Sequence, residues 1–331
     1  MQSSDNINNT WFDEFNSVFT GVLSLIFNIA LILVTSKVKI YSDYVKRMQI
    51  FGAVLRLIFS VLIVFSSPTL AYITDAEAVY IVKGGFSLPI KLGRAMLITF
   101  VTFVIFSCMG PPMQFLQMVF IVKKTTRTQK NVVLTTTIIS FIVSLISTVL
   151  ITFGYVPDAA DDQLSEYIVY NLNGIGKSAY LIASLERYDY TLNDFVADPI
   201  SWACTIYIMA VLVITTVIAM VCWTIIRYEI HKGSRSTNSM KSQQQLNMVL
   251  MVQFILPFLT IHIPFYVSFL MPLFRIETSH LSVYLPYLFS WCPALNPILV
   301  MIMVKSIREK AFDAMSIGSR SHSTIINVFN R

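Results

Sequence analysis

Charge is scarce in this chain. Only 13% of its 331 residues are Asp, Glu, Lys or Arg while 55% are hydrophobic, well beyond the balance of a soluble domain, in which about a quarter of residues are charged. Acidic residues are missing from every long apolar run. Transporters and pumps hold carboxylates at mid-membrane to bind protons or cations, so that absence counts against them, as does the lack of internal repetition. Cysteines are few: Cys108, Cys204, Cys222 and Cys292 all fall within or at the edge of apolar runs, so no disulfide framework is legible. No His and Cys cluster has zinc spacing, no Gly-rich loop would cradle phosphate, and no nucleophile, base and acid set stands out. Enzyme is therefore the poorest class, and no metal or cofactor is expected. Residues 1–16 carry no basic segment ahead of an apolar core, so the first span is expected to act as its own anchor.

What the chain does have is length of apolar sequence. Crossing about 30 Å of hydrocarbon takes roughly 20 helical residues, and runs of that kind occupy 17–36, 48–72, 92–122, 132–156, 200–226, 248–272 and 282–304. Alternating segments of about ten residues, the mark of a membrane barrel, are not seen. The expected fold is an all-α membrane protein, a seven-helix bundle spanning 17–304 between an outer N-terminal segment, 1–16, and an inner tail, 305–331. In that tail Ile307, Ala311, Phe312 and Met315 recur on one face, which predicts a short amphipathic helix over 305–316 lying along the membrane.

The basic residues set the orientation. Of the 24 Lys and Arg, 17 fall in 37–47, 123–131, 227–247 and 305–331, against four acids there, whereas the opposite face holds six basic residues and fourteen acids. Short loops rich in Lys and Arg stay in the cytosol, which puts the N-terminus outside and the C-terminus inside. The sequon at Asn8 agrees, since glycosylation requires a lumenal position. The net charge of +6 averages an acidic outer face and a basic inner one, so nucleic acid is not an expected partner; membrane lipid is, because anionic headgroups attract juxtamembrane Lys and Arg at about 1 kcal/mol each.

Polar residues inside the runs mark where the bundle is expected to do something. Arg56 lies well inside the second span, and either snorkels to the inner headgroups or meets backbone carbonyls, Asn28 or Asn296. The stretch KSQQQLNMVLMVQFILP, 241–257, passes without a break from polar to apolar sequence, which predicts one helix extending from the sixth span into the cytosol. Gln253 must face the bundle to find a partner. Pro257 removes the hydrogen bond to the Gln253 carbonyl and weakens the helix there; Pro264 repeats the effect. Gly110, Pro111 and Pro112 are expected to interrupt the third span. An outer cavity has Thr99, Tyr207, His262, Tyr266, Tyr284 and Tyr287 as candidate lining, His262 and Tyr266 being one turn apart. Residues 157–199, with eight acids and several tyrosines, read as a solvated loop more than as a lid.

The tract SMKSQQQLNMVLMVQFILPFLTIHIPFYV, followed by WCPALNPILVMIMVKSIREKAF, resembles the sixth and seventh spans of nematode serpentine chemoreceptors of the Str superfamily, to which the Srd and Str families belong. The resemblance rests on Lys241, Gln243 to Gln245, Gln253, Pro257, Pro293, Asn296, Pro297 and Arg308, and span order and length extend it over most of the chain. It implies a G-protein-coupled receptor for an environmental small molecule, coupled to a heterotrimeric G protein in the plasma membrane of a sensory neuron, often on its cilium. For such a receptor the helix weakened at Pro257 is the expected conformational switch, with Gln253, Asn296 and Pro297, and the basic residues Lys123, Lys124, Arg227, Lys232, Arg235, Lys241 and Arg308 are the expected docking rim. Two departures stand out. The Tyr-Arg-Tyr-like triplet at the end of the third span is Gln117, Met118 and Val119 here, and the Asn296-Pro297 element ends in Val300 where a Tyr would stand. A ligand-gated seven-span channel and a transporter stay open as alternatives, the first disfavoured because its N-terminus would lie inside.

Overall fold

A computed structural model describes residues 7–38, 43–73, 78–84, 88–123, 126–157, 179–184, 186–189, 194–232, 237–273, 284–305 and 307–310. Its helices are α1 (Ile7–Lys37), α2 (Asp43–Ser66), α3 (Ile90–Val122), α4 (Thr126–Gly154), α5 (Pro199–Lys232), α6 (Thr237–Pro257), α7 (Ile263–Leu273) and α8 (Leu285–Met303). A π-helical turn, Phe258–His262, joins α6 to α7 into one sixth span. Six spans are long and apolar enough to cross a membrane, and a shorter apolar helix, Tyr287–Met303, makes the seventh.

Hydrocarbon offers the backbone no hydrogen bonds, so each span pairs its N–H and C=O groups internally as helix. Side chains then sort in the reverse of a soluble protein. Phe141, Phe153 and Ile206 are exposed on the outside of the bundle, whereas Thr20, Ser24, Asn28 and Thr35, recurring at helical spacing on α1, are completely buried. The helices close into a ring: α1 packs on α2 and α8, α2 on α3 and α8, α4 on α3 and α5, and α6 on α5 and α8. Helix α3 runs inside the ring, touching α2, α4, α5 and α6.

Several expected boundaries move. The second span ends at Ser66, not 72, because Ser67 adopts φ 35° and Pro68 follows, a left-handed stop sealed by a proline. Residues 68–72 belong instead to β1 (Pro68–Ile73), paired antiparallel with β2 (Ala78–Lys83), Leu70 opposite Ile81. The segment 157–199 is not simply a solvated loop: β3 (Tyr180–Ser184) adds to β2 as a third antiparallel strand, and β4 (Glu186–Asp189) pairs with β5 (Asp194–Ala197). The three-stranded sheet lies across the bundle end against α3, α5, α7 and α8. Its Leu70, Ile81, Leu181 and Ala183 share one apolar core with Leu97, Phe100, Phe265 and Phe289 of the helices. Gly93 permits that approach, since a Cβ there would stand 2.5 Å from the Ala179 Cβ.

Helix α3 passes unbroken through Gly110, Pro111 and Pro112, contrary to the interruption expected. The prolines forfeit bonds to the carbonyls of Ser107 and Cys108, but Cys108, Pro112 and Phe115 are packed inside the bundle, which holds the helical path. Helix α1 begins at Ile7, so much of 1–16 is helical and Asn8 lies in the first turn. Helix α6 starts at Thr237, as the unbroken 241–257 stretch predicts. Of the amphipathic helix expected over 305–316, residues 307–310 are helical and 311–316 lie outside the described residues.

Candidate functional site

Two groups of side chains stand inside the ring. The first lies a turn or two from the end that carries the Lys- and Arg-rich connections, the basic end. Gln253 on α6 and Gln49 on α2 exchange reciprocal amide bonds of 3.0 and 3.1 Å, and the Gln253 Nε2 reaches Asn296 Oδ1 on α8 at 3.4 Å. All three side chains are buried. An interhelical hydrogen bond in a membrane contributes about 0.6–2 kcal/mol, so this carboxamide clasp ties the sixth span to the second and last ones with energy small enough to be undone by a ligand. Sequence reading identified Gln253 and Asn296; it missed Gln49, although all three carboxamides stand at a similar depth.

Deeper along α1, Asn28 bridges three elements. Its Nδ2 donates to the Ser24 carbonyl and hydroxyl and, at 3.0 Å, to the Pro293 carbonyl on α8, and its Oδ1 accepts from Arg56 Nε at 2.9 Å. Pro297 has no N–H to give the carbonyl four residues earlier, and Asn28 supplies the missing donor. The expected contact of Arg56 with Asn28 is present; that with Asn296 is not among its hydrogen bonds. Ser60 completes the group by donating to the Ser24 hydroxyl at 2.6 Å.

The second group sits at the π-helical turn. Pro257 and Pro264 deny donors to the carbonyls of Gln253 and Thr260, and between them the backbone widens by one residue, the Ile263 N–H reaching back to Phe258, the kind of bulge that recurs at functional sites. The turn carries His262 into the interior, 1% exposed. There His262 Nδ1 lies 3.2 Å from the Thr216 hydroxyl of α5, and its ring meets Tyr266 edge-on at 6.3 Å and Phe258 at 5.7 Å. His262 and Tyr266 thus come together as expected, and Thr216 is the partner the sequence did not reveal. The other lining candidates scatter. Thr99 is exposed, its hydroxyl bonded to its own helix at Ala95. Tyr207 donates to the Val143 carbonyl of α4 at 3.0 Å, tying α5 to α4. Tyr284 is 63% exposed and meets Tyr287 ring to ring at the sheet end.

On the basic end, Arg227 stacks over Trp223 at 5.0 Å and Lys232 over Tyr228 at 5.7 Å, while Arg308 caps the end of α8 through Ile302. Lys123 closes α3, and Lys241 lies in α6; Lys124 and Arg235 lie outside the described residues. Where the Arg of the triplet would stand, Met118 is buried; beside it Gln117 is buried too, and neither its Oε1 nor its Nε2 has a hydrogen-bond partner among the described residues.

A closed ring of seven helices around a central third, with a proline-bulged sixth and a proline-containing seventh, has the fold of a G-protein-coupled receptor. The crystal structure of squid rhodopsin superimposes on it with a TM-score of 0.63 at 12% identity, over 93% of this chain and 85% of that one. The chain belongs to the Str family of chemoreceptors: the family model described as "Serpentine type 7TM GPCR chemoreceptor Str" matches residues 13–312. It is therefore a multi-pass membrane protein of a receptor family. No curated protein matches its sequence.

Proposed function

We propose that this receptor detects an environmental small molecule at the His262 and Tyr266 group and activates a heterotrimeric G protein by releasing the Gln253 clasp. The observation that carries this reading is the placement of both groups on one span, the π-helical turn that begins five residues beyond Gln253 carrying His262 itself. A ligand shifts a receptor only by binding one conformation better than another. A side chain pushed against His262 strains the turn, whose backbone lacks the bonds that two prolines removed, and the strain is relieved by swinging α6 away from Gln49 and Asn296.

The asymmetry of 17 basic residues against six supports an N-terminus outside and a basic end inside. The sheet then faces the exterior, and the rim of Lys123, Arg227, Lys232, Lys241 and Arg308, with Lys124 and Arg235, meets acidic or helix-end surface of a Gα subunit. Arg227 and Lys232 are held in place by their own helix's aromatic rings, which favours a positioned rim over lipid attraction alone. With Met118 in place of the triplet Arg, release depends on the Gln253 clasp. The family's chemoreceptor description supports a plasma-membrane location on a sensory neuron as part of this reading, and on this orientation Asn8 is a candidate glycosylation site.

The test is a ligand screen of the expressed receptor with calcium and cyclic-nucleotide readouts, repeated on His262→Ala and Tyr266→Phe at matched surface expression. Loss of potency in both variants is expected. Unchanged potency and efficacy in both places the ligand elsewhere.

A further inference from the structure

Arg56 is the one Lys or Arg deep within a span stretch, and its surroundings do not neutralise it. The only acid in the span stretches is Glu229, in the last turn of α5, while Arg56 sits near the middle of α2. A guanidinium cannot shed its proton in a protein, so the escape open to a buried Lys or carboxylate is closed to it. Its nearest polar neighbours offer dipoles only: Nε donates to Asn28 Oδ1, and Ser60 spends its proton on Ser24 and on the Arg56 carbonyl. Nη2 is buried and bonds to no described residue. Nη1 lies against Gly52, one turn nearer the basic end, 3.3 Å from where a Cβ would stand; the missing side chain lets the guanidinium fold against its own helix, and no hydrogen-bond acceptor among the described residues meets Nη1 there. On the facing helix, Cys292 of α8 lies within its electrostatic reach.

We propose that this guanidinium holds a small inorganic anion, chloride under cellular conditions, between α1, α2 and α8. A monovalent ion matches the single charge, accepts hydrogen bonds from the donors of Nη1 and Nη2 that the protein leaves unused, and needs no carboxylate inside the membrane. A bulky or polyvalent anion would overfill the charge. Asn28 ties the site to α8 through the Pro293 carbonyl, so the bound ion stiffens the joint between the first, second and last spans. The site does not depend on which molecule the receptor detects.

The experiment uses the purified full chain in nanodiscs of zwitterionic lipid. Thermal unfolding is measured in sodium chloride and in sodium gluconate at equal ionic strength, for wild type and for Arg56→Gln. A ligand that binds only the native state raises Tm by mass action, and a gain of about 3 °C or more in chloride is expected for wild type, with none in Arg56→Gln. Binding of radiolabelled chloride to wild type, about one ion per receptor and displaced by bromide, is read directly, so the outcome stands even if the variant does not fold. No labelled chloride bound to wild type, or an equal chloride effect in Arg56→Gln, overturns the proposal. So does a Tm that ignores chloride but rises when anionic lipid is added, which assigns the counter-ion to a headgroup phosphate.

Discussion

The two sides of the bundle are held by different forces. Helices α1, α2 and α8 are joined by side-chain hydrogen bonds that cross between them: Asn28 to Pro293, Arg56 to Asn28, Ser60 to Ser24, and Asn16 to Ser290 at 2.9 Å. On α3, α4 and α5 most hydroxyls turn back to their own helix, as Ser107, Ser147 and Thr215 do, and apolar packing around Phe115, Ile208 and Leu212 dominates. The crossing bonds there are single contacts between one pair of helices each, Thr102 with Thr148, Ser140 with Met113, Tyr155 with Thr205 and Tyr207 with Val143, and none involves a charged group or a carboxamide. The sixth span belongs to both sides. Its Phe254 packs against Phe115 of α3 at 6.2 Å, while one residue earlier Gln253 bonds to α2 and α8. Apolar contacts tolerate sliding, whereas a carboxamide pair is either made or broken, which is why the clasp, not the packing, is suited to be a switch.

The difference is open to attack from its strongest point downward. Asn28→Leu removes the partner of a part-buried cation and of a proline-freed carbonyl at once; about 2–6 kcal/mol of stability is expected to go, read as loss of surface expression and a sharply lowered Tm. Leu212→Ala on the packing side, by contrast, is expected to cost about 2–5 kcal/mol by cavity formation without raising basal signalling. Next in size, Gly93→Val pushes the sheet off α3 and is expected to cost about 1–3 kcal/mol, measured by thermal unfolding. A double-mutant cycle of Gln49→Leu and Gln253→Leu is expected to return a coupling of about 1 kcal/mol, and additivity there would dissolve the clasp. Smallest of all, Thr99→Val on the exposed face of α3 is expected to change stability by under about 0.5 kcal/mol and ligand response not at all.

Much of this was legible because a membrane punishes unpartnered polarity. Arg56, Asn28, Gln253 and Asn296 stood out as polar groups inside apolar runs, and each needed a partner from a short menu. Gln49 escaped notice because it begins its span, where a polar residue is unremarkable; only its equal depth with Gln253 and Asn296 pairs them. Thr216 was invisible for a related reason, since a Thr in a membrane helix satisfies itself on its own backbone, and Thr216 does so at Leu212 while also meeting His262. The strands were lost to hydropathy. An apolar run of strand length reads like a helix extension, and TLAY, residues 69–72, reads as the end of the second span even though Ser67-Pro68 marks the stop. Likewise, two adjacent prolines announce a break in α3 that surrounding side chains override.

The most direct test of the clasp is basal G-protein nucleotide exchange by purified receptor, wild type against Gln253→Leu, at equal receptor concentration and without ligand. Releasing bonds of about 0.6–2 kcal/mol in total is expected to raise basal exchange between about threefold and thirtyfold, with Pro257→Ala blunting the rise. Basal exchange equal to wild type in a folded Gln253→Leu receptor would contradict the clasp as the element that holds the sixth span at rest.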